Sequence, residues 1–136
     1  MGAPRVGDFV EIAVGIDSVD VPRFRRLLGR RPGLAGRLFT AAETAYAARF
    51  TDPAPRLAAR FAAKEAAVKA LGVGLGAVRF HDLAVDRLAS GAPVLRVAGR
   101  AAELAREQGV GGWALSLTHT DLVAAAVVIA QRSGGS

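Results

Sequence analysis

Lysine occurs only twice in this 136-residue chain, at positions 64 and 69. Both copies lie in one stretch, Phe61-Ala62-Ala63-Lys64-Glu65-Ala66-Ala67-Val68-Lys69-Ala70-Leu71-Gly72. The other sixteen basic residues are arginine, so lysine at these positions looks chosen for what distinguishes it, a compact point charge suited to a single phosphate oxygen. Between the two stands Glu65, an oxygen donor of the kind hard divalent cations take. One reading of the stretch is therefore a carboxylate for a metal between two cations for phosphates. The other is a Glu65/Lys69 surface pair worth a few tenths of a kcal/mol, with Lys64 snorkelling past the core.

Three further residues could do chemistry. Asp17 ends one face of a strand on which Gly15, two residues earlier, leaves room for a ligand to approach. A lone aspartate at a strand end can also be a turn or cap residue, and Asp20, just before Val21-Pro22, has the place of a helix cap. His119 sits at another strand end, where it could donate to a phosphate or a ribose or serve a structural turn. Ser116 has no base beside it in the sequence and is not read as a nucleophile.

These residues need elements to hold them. Val10, Ile12, Val14 and Ile16 alternate with Glu11, Ala13, Gly15 and Asp17, the period of a half-buried strand. An arginine-rich helical region follows. Thr40-Ala41-Ala42-Glu43 has capping-box spacing and opens a helix through about Arg49. Thr51-Asp52-Pro53-Ala54-Pro55 breaks it. Pro55 to Leu71 then reads as a helix, alanine-rich and stopped by Gly72, with Leu57, Phe61, Val68 and Leu71 on one stripe at about 100° per residue. Lys64 falls inside that stripe, and Glu65 and Lys69 on its flank. Gly72-Val73-Gly74-Leu75-Gly76 reads as a helix-to-strand connection rather than a nucleotide loop. Residues 80–88 and 93–98 predict a hairpin, Arg100 to Gln108 a helix, and Trp113 to Thr118 and Leu122 to Ala130 two more strands. The last strand is apolar enough to be covered on both faces. Gln131 to Ser136 reads as a mobile tail. The class is α+β with a mainly antiparallel sheet, one domain over 1–136 with its core at about 10–130 and mobile termini.

Composition narrows the function. Hydrophobic residues make up 51% of the chain, against disorder, and the longest strongly apolar run, Leu122 to Ala130, is too short for a membrane helix. No secretory signal is visible, which makes a cytoplasmic protein the expectation. The absence of cysteine removes disulfides, thiolate zinc sites and thiol nucleophiles together. The net charge of +6 is uneven: residues 21–42 hold Arg23, Arg25, Arg26, Arg30, Arg31 and Arg37 and no acid. This region should attract an acidic partner. For nucleic acid it offers only Phe24 and Phe39 to stack on bases, leaving an acidic protein as the other candidate.

Gly15-Ile16-Asp17-Ser18-Val19, Arg23, Phe39-Thr40-x-x-Glu43-x-x-Tyr46, the Phe61 to Gly72 stretch and Leu115-Ser116-Leu117-Thr118-His119-Thr120 together resemble holo-acyl-carrier-protein synthase, the small trimeric class of 4′-phosphopantetheinyl transferase. The resemblance covers about residues 10–130. It implies the 4′-phosphopantetheinyl transferase fold, with one long central helix carrying the Lys-Glu-Ala motif. It also implies transfer of 4′-phosphopantetheine from coenzyme A to a serine hydroxyl of an apo acyl carrier protein, with release of adenosine 3′,5′-bisphosphate.

By the same resemblance Asp17 and Glu65 are the magnesium-binding acids, and Mg2+ is the cofactor beside coenzyme A as co-substrate. With Lys69 they make the catalytic set, Lys69 stabilising or protonating the leaving phosphate. Lys64 and His119, with Lys69, are candidate phosphate contacts of coenzyme A. Arg23 matches a family arginine that docks the acidic carrier protein, and Arg26 and Arg30 continue its helical face. The resemblance implies a homotrimer with each active site between two subunits, and no membrane or nucleic acid partner. Ser18, Val73 and the proline-rich 51–55 connection depart from the family pattern. The alternatives are a non-catalytic basic module binding carrier proteins or nucleic acid, and a domain excised from a multifunctional synthase; the start at Met1 and the short tail favour a free-standing protein.

Overall fold

The computed structural model describes residues 11–133; Val10, placed above in the first strand, lies outside them. Strand β1 (Glu11–Asp20) leads into α1 (Val21–Arg30), α2 (Leu34–Leu38), α3 (Ala41–Ala47) and the long α4 (Ala54–Leu71). A 3-10 turn at Phe80–Asp82 precedes the hairpin of β2 (Leu83–Arg87) and β3 (Pro93–Val97). Helix α5 (Gly99–Glu107) and the strands β4 (Val110–His119) and β5 (Val123–Arg132) complete the chain. β5 pairs antiparallel with both β1 and β4, giving the order β1-β5-β4, while β2 and β3 form a separate antiparallel pair. This is the α+β class with antiparallel sheets that the residue patterns predict.

Local chemistry explains most of the boundaries. Asp20 accepts from the backbone N–H of Arg23 at 2.9 Å and caps α1, with Pro22 in its first turn. The arginine-rich region is two helices, because the chain turns at Pro32-Gly33, where Gly33 adopts φ 90°. Thr40 and Glu43 form both halves of the capping box that opens α3. Gly72 ends α4 in the left-handed conformation. At the other end of the chain Gln131 and Arg132, expected in a mobile tail, pair with Ile12 and Glu11 in the sheet, and Arg132 donates to Gln108 Oε1 at 2.8 Å; Gly134 to Ser136 lie outside the described residues.

Helix α4 is the centre of the core rather than an amphipathic cover. Fourteen of its eighteen residues are buried, so an apolar stripe understates it. Alanines at 58, 59, 62, 63, 66, 67 and 70 keep the helix thin enough for β1 and β5 to lie directly across it. Ala124, Ala126, Val128 and Ala130 of β5 are buried facing α4.

Strand β1 is half-buried, as its period requires, but the room beside Gly15 is occupied by the protein itself. A Cβ at Gly15 would stand 1.7 Å from the carbonyl oxygen of Ala66. The glycine exists for the approach of strand to helix, not of ligand to strand. The β1 face that carries Ile12, Val14 and Ile16 points the other way and is exposed.

Gly15→Ala should therefore cost about 1–3 kcal/mol, since the clashing atom is helix backbone and cannot swing aside. Chemical denaturation of the variant against the parent checks this.

Candidate active site

The strand-to-helix contact at Gly15 sets two turns of α4 against the end of β1 and so brings Asp17, Glu65 and Lys69 to one place. Lys69 Nζ donates to Asp17 Oδ1 at 3.1 Å and to the backbone oxygen of Ile16 at 2.9 Å. Lys69 thus reaches across to β1, and no ion pair joins it to Glu65 among the described residues. Burial raises the carboxyl pKa of Glu65, the negative charge of Asp17 raises it further, and Lys69 opposes both. Two carboxylates close enough to disturb one another, with a cation alongside, form an arrangement that a divalent ion would relieve. The described residues contain no group of three or more histidine, cysteine or acidic side chains suited to a metal. The pair fits magnesium, which keeps waters and takes one or two carboxylates plus substrate phosphates.

Lys64 is not available to phosphate, contrary to the reading from sequence. Its side chain is fully buried, and its ammonium donates to Glu43 Oε1 at 2.8 Å and to the carbonyls of Phe80 and Leu83 at 2.8 and 3.1 Å. An ammonium has three protons, and all three are engaged. Glu43 is equally saturated: Oε1 also accepts from Thr40 N–H and Oε2 accepts from Val85 N–H. Burial pushes the Lys64 pKa down, and Glu43 opposes that shift. Neither does Lys64 snorkel. It is an internal rivet between α4, α3, the 3-10 turn and β2.

Asp17 and Glu65 open onto a cleft of about 690 Å³ that is also lined by Arg23, Arg26, Leu27 and Arg30 of α1. All three arginines named from sequence meet there, and none of them is in an ion pair among the described residues. Arg25, on the same helix, differs: it pairs with Asp52 in the proline-rich connection. Phe24 and Phe39, the possible stacking residues, are 3% and 1% exposed. They belong to an aromatic run in which Phe24 contacts Phe39 edge-on and stacks on Phe61 with ring centroids 5.1 Å apart, so neither can take a base.

His119 lies elsewhere, in a cleft of about 300 Å³ with Arg56, Arg60, Arg87, Leu117 and Thr118. The three arginines were not anticipated. Arg60 is 2% exposed, stacks over the Tyr46 ring at 4.3 Å, and its Nε has no hydrogen-bond partner among the described residues. Burial lowers its pKa, a sign of how little water reaches it. Arg87 lies over the same ring at 5.1 Å. The one signal in the sequence was Arg60 itself, a long cation inside an alanine-rich helix one turn before Lys64.

An acid pair with an adjoining lysine and two arginine-lined clefts suit anionic, phosphate-bearing ligands. Residues 13–127 match the family model of the 4′-phosphopantetheinyl transferase superfamily, and the chain belongs to it. It is 44% identical, over 90% of its own length and 95% of the relative's, to the holo-[acyl-carrier-protein] synthase of Moorella thermoacetica. Within the superfamily it is a member of the holo-[acyl-carrier-protein] synthase family. Its fold is similar to the crystal structure of that enzyme from Neisseria meningitidis, with a TM-score of 0.78 and 33% identity over 87% of this chain and 96% of that one. It is similar too to the coenzyme A complex of the synthase from Chronobacterium ammoniagenes, with a TM-score of 0.80 and 27% identity over 90% and 98% of the two chains.

Two outcomes follow from the geometry. Asp17→Asn should lower the Glu65 pKa without returning it to the ordinary carboxylate range, since the larger cause, burial, remains; a carboxyl-carbon NMR titration reads this directly. Lys64→Met should cost about 3–5 kcal/mol by leaving Glu43 buried and unpaired. The double variant with Glu43→Gln should lose less than the sum of the two single changes in denaturant unfolding.

Proposed function

We propose that the chain is a magnesium-dependent holo-acyl-carrier-protein synthase acting in the cytoplasm on coenzyme A and an acidic apo carrier protein. The observation that carries this reading is the meeting of Asp17 and Glu65, with Lys69 bound to Asp17, in a cleft lined by arginines that make no ion pair among the described residues. Asp17 and Glu65 would hold the metal, which supplies charge neutralisation at the coenzyme A diphosphate. Lys69, tethered to Asp17, stands where the phosphate that leaves gathers charge. The carrier's serine oxygen forms a bond to the β-phosphorus and the phosphoanhydride bond breaks. Adenosine 3′,5′-bisphosphate departs with the electron pair, and the serine proton passes to a site carboxylate or to water.

The remaining parts of both substrates have matching surfaces. Arg23, Arg26 and Arg30 suit an acidic carrier that must bring its serine to the acid pair. His119 with Arg56, Arg60 and Arg87 suits the phosphates on the adenosine side of coenzyme A, the buried Arg60 guanidinium having a donor still free.

The two clefts share no residue, and a subunit boundary between them accounts for that. Ile12, Val14 and Ile16 are 58, 54 and 63% exposed, and Val14 and Ile16 lie beside Ile129 and Val127 of β5. A sheet face this apolar is the kind that an oligomer covers. We read it as the centre of a homotrimer in which the acid pair of one subunit works with the His119 cleft of the next.

Asp17→Ala and Glu65→Ala should each abolish phosphopantetheine addition to an apo carrier, followed as intact mass in the presence of magnesium with a chelator control; variants that still transferred normally would remove the metal site. Trimers reassembled from Glu65→Ala and His119→Ala subunits should recover activity that neither has alone. Carrier affinity should fall as salt rises, and a flat response would defeat the arginine docking surface.

A further inference from the structure

Lys69 has a use in transfer only once a phosphate stands beside it, yet its ammonium is already committed across the site. We propose, on the transferase reading above, that Lys69 is a placeholder cation. In the free protein it occupies a carboxylate oxygen of Asp17 that a divalent ion would otherwise share, and it gives that oxygen up when the diphosphate of coenzyme A arrives to receive it. The acid pair then holds a divalent ion weakly alone and tightly only together with that co-substrate.

Lys69 leaves α4 one turn after Glu65 and crosses to β1, where its ammonium donates to Asp17 Oδ1 at 3.1 Å and to the Ile16 carbonyl at 2.9 Å. It is bonded to the strand rather than along the helix, although Glu65 stands at the spacing of a helical ion pair. Its charge still reaches Glu65, where it offsets part of the rise that burial and Asp17 cause. One ammonium therefore serves both acids, which is otherwise the task of a metal.

The two lysines of the helix differ in whether they can let go. Lys64 is fully buried with three acceptors, and taking it from them would leave Glu43 unpaired in the core. The Lys69 side chain is 55% exposed, against 15% for Asp17, and has two acceptors among the described residues for its three protons. An ion pair this open to water is weak, so exchanging Asp17 for a diphosphate oxygen costs little. The flexible lysine stem moves, while the carboxylate on the strand stays.

Formal charge gives the coupling its sign. Asp17 and Glu65, ionised, bring two negative charges and Lys69 returns one, beside a cleft to which Arg23, Arg26 and Arg30 add three more cations. A lone divalent ion enlarges that positive excess, whereas one accompanied by the two negative charges of the diphosphate does not. Among these cations Lys69 is the one bonded to an acid of the pair, so it contributes most to the penalty. By linkage the effect is reciprocal: divalent ion and co-substrate each raise the affinity for the other.

Binding of Mn2+, a paramagnetic stand-in for magnesium at oxygen sites, to the full chain tests this by electron paramagnetic resonance. Without coenzyme A, Lys69→Met should bind Mn2+ about three- to ten-fold more tightly than the parent, and Lys69→Arg, which keeps a cation, no more tightly than the parent. With coenzyme A present and no carrier protein to consume it, the parent should gain more Mn2+ affinity than Lys69→Met does. Unchanged or weaker Mn2+ binding by Lys69→Met would overturn the proposal, since Lys69 would then do no more than steady Asp17. Equal tightening in Lys69→Met and Lys69→Arg would overturn it too, and either result leaves the transferase reading intact. Mn2+ binding left unchanged by Asp17→Ala would remove the metal site of that reading and this proposal with it.

Discussion

The site depends on one close approach, the backbone of β1 at Gly15 lying against the carbonyl of Ala66 in α4. A side chain at either position large enough to separate the two elements would move Asp17 away from the turn that carries Glu65 and Lys69. Small residues here are thus catalytic geometry expressed as packing. Strand and helix are both rigid over this length, so the contact fixes the relation of the carboxylates without any direct bond between them. Burial first, and then the negative charge of Asp17, raise the Glu65 pKa, and the packing of the surrounding core holds the two acids together despite it.

The buried Lys64–Glu43 pair has the complementary task. An alanine-rich helix offers little side-chain relief, and smooth surfaces slide or rotate more readily than interlocked ones. A saturated ion pair whose partners also bind the backbone at Thr40, Phe80, Leu83 and Val85 ties α4 to three neighbouring elements at once. It fixes the rotation of α4 about its own axis, and the residue after Lys64 is Glu65. Two adjacent charged residues in one motif thereby divide the work: one is spent inside the protein so that the other points reliably out of it.

Charge is distributed with similar economy over the surface. Arg25 is bound by Asp52 and Arg60 is stacked on Tyr46, while Arg23, Arg26 and Arg30, around the large cleft, make no ion pair among the described residues. An excess of positive charge on the whole chain is therefore less informative than which arginines lack a partner. The open apolar face of β1 follows the same principle, since its Ile12, Val14 and Ile16 are hydrophobic beyond anything the single chain requires.

Much of this was legible in the residues alone. Periodicity, caps and glycines located nearly every element, because these signals act over three or four residues and need no distant partner. The scarcity of lysine pointed at the helix that carries Lys64, Glu65 and Lys69, and the motif order at the right family. Sequence could not decide which lysine is buried in an ion pair, which face of β1 is covered, or why residue 15 is glycine. It also passed over Arg60 and Arg87. Each of those depends on a contact between segments far apart in the chain: Lys64 with Glu43, Gly15 with Ala66, Arg60 with Tyr46. A residue's type sets which interactions it can make, and that was determined by the sequence; whether a charge is neutralised inside or left free at a cleft is decided only when tertiary packing brings its partner, or leaves it without one.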